Sequence, residues 1–265
     1  MIGIDMTGKV TLVTGAGGGI GGGIADVFAK AGSKVYVADL EFADAKARAR
    51  QIETQGWFAQ AVRLDVTNKD EIHSVIDGIV KESGKIDNLI NCAGIGYNKP
   101  YMESSDDEFR NTLEVNLIGA NNCCQAVLRE MIPRKEGKIV NILSASSRLG
   151  SDFFTHYSSS KFGLLGLTQG IGMAAARHNI NVNGICPGII ETRIGEKQGG
   201  GLVKQMAKYS GKPEELLREG IRKTIPLRRF QTGEDIGHMA LFLCSDLAKN
   251  ITCQAINVCG GMRMN

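Results

Sequence analysis

Thr14-Gly15-Ala16-Gly17-Gly18-Gly19-Ile20-Gly21 follows a short apolar run at residues 9–14 and leads directly into Gly22-Gly23-Ile24-Ala25-Asp26-Val27-Phe28. The run predicts a buried strand, the stretch after it a helix from residue 19, and the glycines between them a tight turn. A turn without side chains lets the backbone approach a pyrophosphate, which also feels the positive end of the helix behind it. Glycines alone are weak evidence, because 34 of them are spread through the chain. The strand–loop–helix setting gives this cluster its meaning. The loop lacks a Gly-Lys-Ser/Thr ending, so a triphosphate-hydrolysing P-loop is disfavoured.

Outward from that loop, runs rich in Val, Ile and Leu at 9–14, 34–39, 58–65, 86–91, 138–143, 180–186 and 254–258 alternate with helical periods near 19–31, 42–55, 69–83, 106–134, 157–178 and 233–245. This alternation predicts an α/β fold, a Rossmann-like doubly wound parallel sheet of about seven strands with helices on both faces. Right-handed crossovers then bring every strand's C-terminal end to one edge, where ligands bind in such sheets. At 265 residues the expectation is a single dinucleotide-binding catalytic domain, 1–265. Residues 192–230 break the pattern with Gly199-Gly200-Gly201, a mixed helix-like stretch, Pro213 and Pro226. An insertion there is expected to act as a substrate lid.

Hydrophobic residues at 43% and charged residues at 22% describe an ordinary globule. No apolar run reaches the roughly 20 residues of a bilayer span, and Met1-Ile2-Gly3-Ile4-Asp5-Met6 is acidic and too short for a secretory signal. A cytoplasmic protein without a membrane partner is expected. The 31 basic and 28 acidic residues are interspersed, which argues against nucleic acid. Cys92, Cys123, Cys124, Cys186, Cys244, Cys253 and Cys259 lack metal-ligand spacing, so reduced packing thiols are expected and no metal.

Tyr157-Ser158-Ser159-Ser160-Lys161 places a phenol and an ammonium four residues apart, on one helical face. A cation beside a phenol favours the charged form, so the spacing predicts that Tyr157 exchanges protons near neutral pH. Ser144 follows the run ending Ile142-Leu143, so its hydroxyl emerges where a strand ends. Asp39 closes Val35-Tyr36-Val37-Ala38-Asp39, where a carboxylate can accept hydrogen bonds from ribose hydroxyls and would repel a 2′-phosphate. No Arg or Lys lies in the glycine loop, which favours NAD over NADP. Asp65-Val66 and Asn91-Cys92-Ala93-Gly94 close the third and fourth runs and fit an adenine-side wall.

Together these residues resemble the short-chain dehydrogenase/reductase family, over essentially the whole chain. Thr14-Gly15-x-x-x-Gly19-x-Gly21 is similar to its cofactor loop, Asn91-x-Ala93-Gly94 to its structural turn, and Tyr157-x-x-x-Lys161 to its catalytic signature, with Ser144 thirteen residues before Tyr157. Asn116 in Glu114-Val115-Asn116-Leu117-Ile118-Gly119 matches the fourth catalytic position, and Pro187-Gly188-Ile189-Ile190-Glu191-Thr192 the segment holding the nicotinamide. The resemblance implies cofactor contacts from Gly15, Gly19, Ile20, Gly21, Asp39, Asp65, Val66, Asn91, Ala93, Gly94, Tyr157, Lys161, Pro187, Gly188, Ile190 and Thr192. It implies hydride transfer between nicotinamide C4 and a secondary carbinol or ketone carbon. Tyr157 would act as acid or base and Lys161 would lower its pKa and hold the ribose. Ser144 would bond the substrate oxygen, and Asn116 would hold a water leading to Lys161. Cys92 departs from the family's Asn, and Cys253 and Cys259 from its usual Gly and Asp.

Within the family the likeness is greatest to acetoin reductase/2,3-butanediol and polyol dehydrogenases, carried by His156-Tyr157-Ser158-Ser159-Ser160-Lys161-Phe162, Gly166-Leu167-Thr168-Gln169, Asn181 to Ile189 and Gly260-Gly261-Met262. A small diol, hydroxyketone or polyol is thereby implied, as is a homotetramer or homodimer. Ser146, Phe153, Phe154 and Gly188 are the pocket-wall candidates. The two phenylalanines keep a hydroxysteroid dehydrogenase as rival; 3-oxoacyl carrier-protein reduction goes with NADP, against which Asp39 argues. A non-catalytic NAD-sensing or scaffold protein would tolerate loss of Tyr157 or Lys161, yet all four catalytic positions are filled. His156 is expected to face solvent or a second subunit.

Overall fold

The apolar run ahead of the glycine loop forms strand β1, Val10–Thr14, buried along its whole length. In the computed structural model, which describes residues 3–190 and 201–264, it lies in the interior of a seven-stranded sheet. The other strands are β2 (Lys34–Asp39), β3 (Ala59–Arg63), β4 (Asn88–Asn91), β5 (Gly137–Ile142), β6 (Ile180–Pro187) and β7 (Ala255–Val258). All pairings are parallel and the order is β3-β2-β1-β4-β5-β6-β7. The order reverses between β1 and β4, whose register ends on Thr14 opposite Asn91. That point is the crevice where doubly wound sheets bind ligands.

Helices α1 (Gly19–Lys30), α2 (Phe42–Glu53), α3 (Lys69–Ser83), α4 (Asp106–Leu113), α5 (Ala120–Arg134), α6 (Thr155–Ala176), α7 (Leu202–Ser210), α8 (Glu214–Thr224) and α9 (Gly233–Cys244) account for the remaining long elements. Alternate strand residues serve opposite faces, as the period of two demands. Val13, Val35, Val37, Ile90, Val140 and Ile185 pack with Ile24, Phe28, Ile52, Ile236 and Leu243 of α1, α2 and α9. Leu12, Tyr36, Leu89, Ile139 and Val182 pack with Ile72, Ile76, Ile79, Val127, Met131 and Ala175 of α3, α5 and α6. No described helix is long and apolar enough to cross a membrane.

The helical period over 106–134 predicts one helix, but the chain makes α4, a π-helical turn at Glu114–Gly119, and α5. A π turn widens the coil by a residue without interrupting the apolar pattern, so periodicity does not register it. It carries Asn116, which is buried, and Gly119, where a Cβ would sit 2.7 Å from Val66 Cγ2. The run at 58–65 is shorter than expected: β3 spans Ala59–Arg63, and Leu64 N–H, bonded to Asp39 O, makes the last bond of its ladder with β2. The stretch at 201–230 forms α7 and α8, joined through Gly211 at φ +67°. Residues 192–200 of the expected lid, with Thr192, Gly199 and Gly200, lie outside the described residues.

A buried polar ladder ties the sheet to α6 beneath the crevice. Asn91 Nδ2 donates to Asn141 Oδ1 at 2.9 Å, and Asn141 Nδ2 donates to Thr168 Oγ1 at 2.9 Å. Asn141→Leu is expected to cost about 1–3 kcal/mol, because it strips partners from two buried side chains at once. Urea midpoints of the two proteins measure this, and equal midpoints would show the ladder to be dispensable. Cys253 holds φ at 60°, a left-handed conformation that suits glycine, the residue the family resemblance puts there.

Candidate active site

Each half of the crevice begins where a strand ends. At the end of β1, Gly15 has φ +65°, and a Cβ on it would lie 2.7 Å from Ala93 Cα. At Gly21 a Cβ would lie 2.3 Å from Gly15 O. Thr14 Oγ1 accepts from Cys92 N–H and Ala93 N–H, both at 3.1 Å, and so fastens the glycine turn to the turn after β4. The N-cap of α1 is Gly18, which offers no side-chain oxygen to the helix's first N–H groups and has open space beside it. Asp39 lies beneath the turn, its Oδ2 accepting from Gly17 N–H at 2.9 Å and its Oδ1 from Glu41 N–H at 3.0 Å. This bare, uncapped cradle with a carboxylate at its far side fits a dinucleotide: anion at the helix end, ribose hydroxyls at Asp39.

Three of the expected wall residues also make contacts within the fold. Asp65 Oδ1 accepts from Thr67 N–H at 2.9 Å and Thr67 Oγ1 at 2.7 Å, shaping the turn after β3, and Val66 is buried against Gly119. Asn91 points its side chain into the ladder below, leaving Ala93 and Gly94 at the crevice turn. Opposite, Pro187 ends β6 and Gly188 N–H donates to Val258 O at 3.1 Å. A Cβ on Gly188 would lie 2.3 Å from Gln231 Oε1 and 2.9 Å from Cys259 Cα. Ile190 bridges to Gln231, a residue that nothing in its sequence surroundings singles out.

The second half gathers Ser144, Tyr157, Lys161 and Asn116. Ser144 ends the β5 run and caps a 3-10 turn, Ala145–Ser147, its Oγ accepting from Ser146 N–H at 3.0 Å. Tyr157 and Lys161 lie one turn apart on α6, with Lys161 Nζ 5.7 Å from the Tyr157 ring centroid. The Ser144 hydroxyl lies on the phenol side of Tyr157 and favours its ionised form. Lys161 is 5% exposed and donates to Ile142 O at 2.8 Å. Asn116 accepts from Ile95 N–H at 2.8 Å and donates to Ile95 O at 2.9 Å and to Ser160 Oγ at 3.0 Å. A Cβ on Gly94 would lie 3.2 Å from Asn116 Oδ1 and 3.7 Å from Lys161 Nζ, so the two flank that turn.

The expected acidification of Tyr157 is not what this geometry gives. Burial pushes its phenol up to about 12, against the opposing pull of the Ser144 hydroxyl. Burial likewise pushes Lys161 down to about 8. The spacing does bring the ammonium to the phenol, but over the ring face and bonded to a carbonyl, so desolvation of both groups outweighs their attraction.

Phe153 and Phe154 meet edge to face at 5.6 Å, and Tyr209 of α7 packs on Phe153 at 5.4 Å. Tyr209 Oη donates to Glu103 Oε2 at 2.8 Å, and Tyr101 N–H to Asp152 O at 2.9 Å. Tyr209 and Glu103 lie 106 residues apart, so no local pattern reveals them. His156 corrects another expectation: it is 1% exposed, turned inward against the Tyr97 ring at 5.6 Å.

Residues 9–201 match the family described as short chain dehydrogenase. The chain is 37% identical to galactitol 2-dehydrogenase of Agrobacterium fabrum, over 97% of this chain and 98% of that one. It is 35% identical to a 3-oxoacyl-acyl-carrier-protein reductase of Aquifex aeolicus, over 98% and 99%. Its structure is similar to that of actinorhodin polyketide ketoreductase with NADPH, with a TM-score of 0.91 and 30% identity over 96% of this chain and 97% of the other.

Proposed function

The chain belongs to the short-chain dehydrogenase family, an oxidoreductase of alcohols and ketones that uses a nicotinamide nucleotide, and we propose that it is NAD-dependent and acts on a small diol, hydroxyketone or polyol. The observation that carries the reading is the Tyr157 phenol beside the Ser144 hydroxyl, with the Lys161 ammonium over its ring, across the crevice from the glycine cradle. The nicotinamide, when bound, supplies or accepts a hydride at C4. Tyr157 gives the substrate oxygen its proton in reduction and takes it back in oxidation. Ser144 shares that oxygen through a hydrogen bond. Lys161 holds ribose hydroxyls and supplies positive charge beside the phenol. Asn116 keeps Ile95 in place and, in this reading, a water on the way to Lys161. The glycine turn with Gly19, Ile20 and Gly21 holds the pyrophosphate, and Pro187, Gly188, Ile190 and Thr192 the nicotinamide end.

The choice of NAD rests on Asp39, whose carboxylate meets a 2′-phosphate with like charge. Asp39→Ala is expected to weaken NAD binding about tenfold or more, the scale of one lost charged hydrogen bond, and to admit NADP. Fluorescence titration with NADH and NADPH measures both, and an unchanged ratio of affinities would remove the ribose contact from the account. Similarity to galactitol 2-dehydrogenase supports a polyol. The Phe153–Phe154–Tyr209 cluster favours one second reading, a larger apolar ketone such as an oxosteroid. We read 1–265 as one catalytic domain and 192–230 as its substrate lid, a reading supported by the docking of α7 on Phe153 through Tyr209. NADH oxidation with acetoin, ketoses and oxosteroids in parallel ranks the substrate classes by kcat/KM; a leading rate with oxosteroids would overturn the polyol.

A further inference from the structure

We propose that His156 is a positioning residue for Tyr157, acting through the Ile95–Tyr97 segment that lies across the phenol ring. The proposal rests on the reading of Tyr157 as proton carrier. Tyr97 N–H donates to His156 Nε2 at 3.2 Å. Two residues earlier, Asn116 clasps both backbone groups of Ile95. Gly96 hangs between these two anchors, and a Cβ on it would lie 3.2 Å from Tyr157 Cδ2 and 3.7 Å from Cε2. The backbone at Gly96 is therefore one wall of the slot in which the phenol ring sits, and the bonds at Ile95 and Tyr97 hold that wall on either side. Asn111 Nδ2 donates to Tyr97 Oη at 3.1 Å and steadies the far end.

The chemistry of the ring supports this role over simple packing. Because Nε2 accepts, the neutral tautomer carries its proton on Nδ1, and Nδ1 is buried without a partner. A leucine in the same place would avoid that unpartnered donor. What histidine supplies and leucine does not is the acceptor for Tyr97 N–H. His156 also adjoins Tyr157 in the chain, so the same turn of α6 that aims the phenol anchors the wall beside it.

The acceptor exists only while the ring is neutral. Burial holds His156 below the usual imidazole value, with the Glu108 carboxylate and the Tyr97 backbone pulling upward and the Lys99 ammonium downward. Lys99 and Glu108 are paired with each other at 2.6 Å, and the Tyr97 ring lies against the imidazole. As pH falls through the lowered value, Nε2 takes a proton, the Tyr97 bond is lost and the wall loosens. An acidic limb in turnover is therefore expected, and it belongs to His156 and not to Tyr157, which titrates far above.

The test compares wild type, His156→Leu, His156→Gln and Tyr157→Phe, assayed with NADH and whichever ketone of the acetoin, ketose and oxosteroid series is reduced fastest. His156→Leu is expected to lose tenfold or more in kcat with the dissociation constant of NADH unchanged. His156→Gln, which keeps an acceptor at that reach, is expected to recover to within about threefold of wild type and to lose the acidic limb. In cofactor-free protein, hydrogen exchange at the Tyr97 amide is expected to be slow in wild type and His156→Gln and fast in His156→Leu. Wild-type kcat in His156→Leu, equal losses in Leu and Gln, or an acidic limb that persists in Gln would each overturn the proposal. Should His156→Leu fail to fold, the limb in His156→Gln decides alone. Tyr157→Phe separates the two claims: if it keeps turnover, the proton-carrier reading falls and this proposal with it, whereas an inactive Tyr157→Phe beside a fully active His156→Leu sinks only the positioning role.

Discussion

Tyr157→Phe is expected to lower turnover by roughly 10²-fold or more while leaving NADH binding intact, the usual scale of a lost general acid or base. The substitution removes one oxygen and keeps the ring that packs on Gly96. Nucleotide affinity should survive because the glycine cradle and Asp39 lie on the other half of the crevice. The direction of the reaction matters to how the loss appears. With burial holding the phenol at about 12, the proton is already in place for ketone reduction at neutral pH. Oxidation must instead transfer a proton onto a group that is protonated until alkaline pH, so its rate in the wild type should climb through the alkaline range. Steady-state kcat in both directions, with fluorescence titration of NADH, measures these effects. Near-normal turnover in the variant would take Tyr157 out of the mechanism.

The parts of this molecule legible in its sequence are those fixed by local pattern. Parallel strands buried on both faces read as continuous apolar runs, so β1, β2 and β6 lie within a residue or two of the stretches that announced them. The glycine turn was legible for the same reason, since Gly15 and Gly21 answer to contacts formed within a few residues or across the adjacent strand end. What depends on burial or on distant partners was not. The spacing of Tyr157 and Lys161 gives their proximity but not the desolvation that opposes it, and the sign of the phenol's shift follows from the second. His156 looked like a surface residue because α6 has polar neighbours on either side of it. The Tyr97 loop packed against that turn encloses it. The π turn at Glu114–Gly119 kept its helical period and stayed invisible, and Tyr209 found Glu103 across 106 residues.

Gly21→Val is expected to abolish measurable NADH binding and to destabilise the fold by about 2–3 kcal/mol, the upper range for overpacking a filled site. The first atom of any side chain there would lie 2.3 Å from Gly15 O, 2.9 Å from Gly15 C and 3.0 Å from Ala16 Cα. All three are backbone, so no rotamer relieves the contact. Gly15 has no room to retreat, since it holds φ +65° and its own Cα faces Ala93, which Thr14 ties to the loop. The strain must therefore open the turn that cradles the pyrophosphate or part α1 from β1, and either way affinity and stability fall together. Gly18→Ala separates the two effects. Gly18 is extended, at φ −170°, and has nothing within 4 Å of an added methyl, so the fold should keep its melting temperature while the methyl intrudes on the open side of the cradle and weakens NADH. Thermal unfolding and NADH titration of both variants distinguish these outcomes. Wild-type affinity in Gly21→Val would mean that the nucleotide is held elsewhere than at the start of α1.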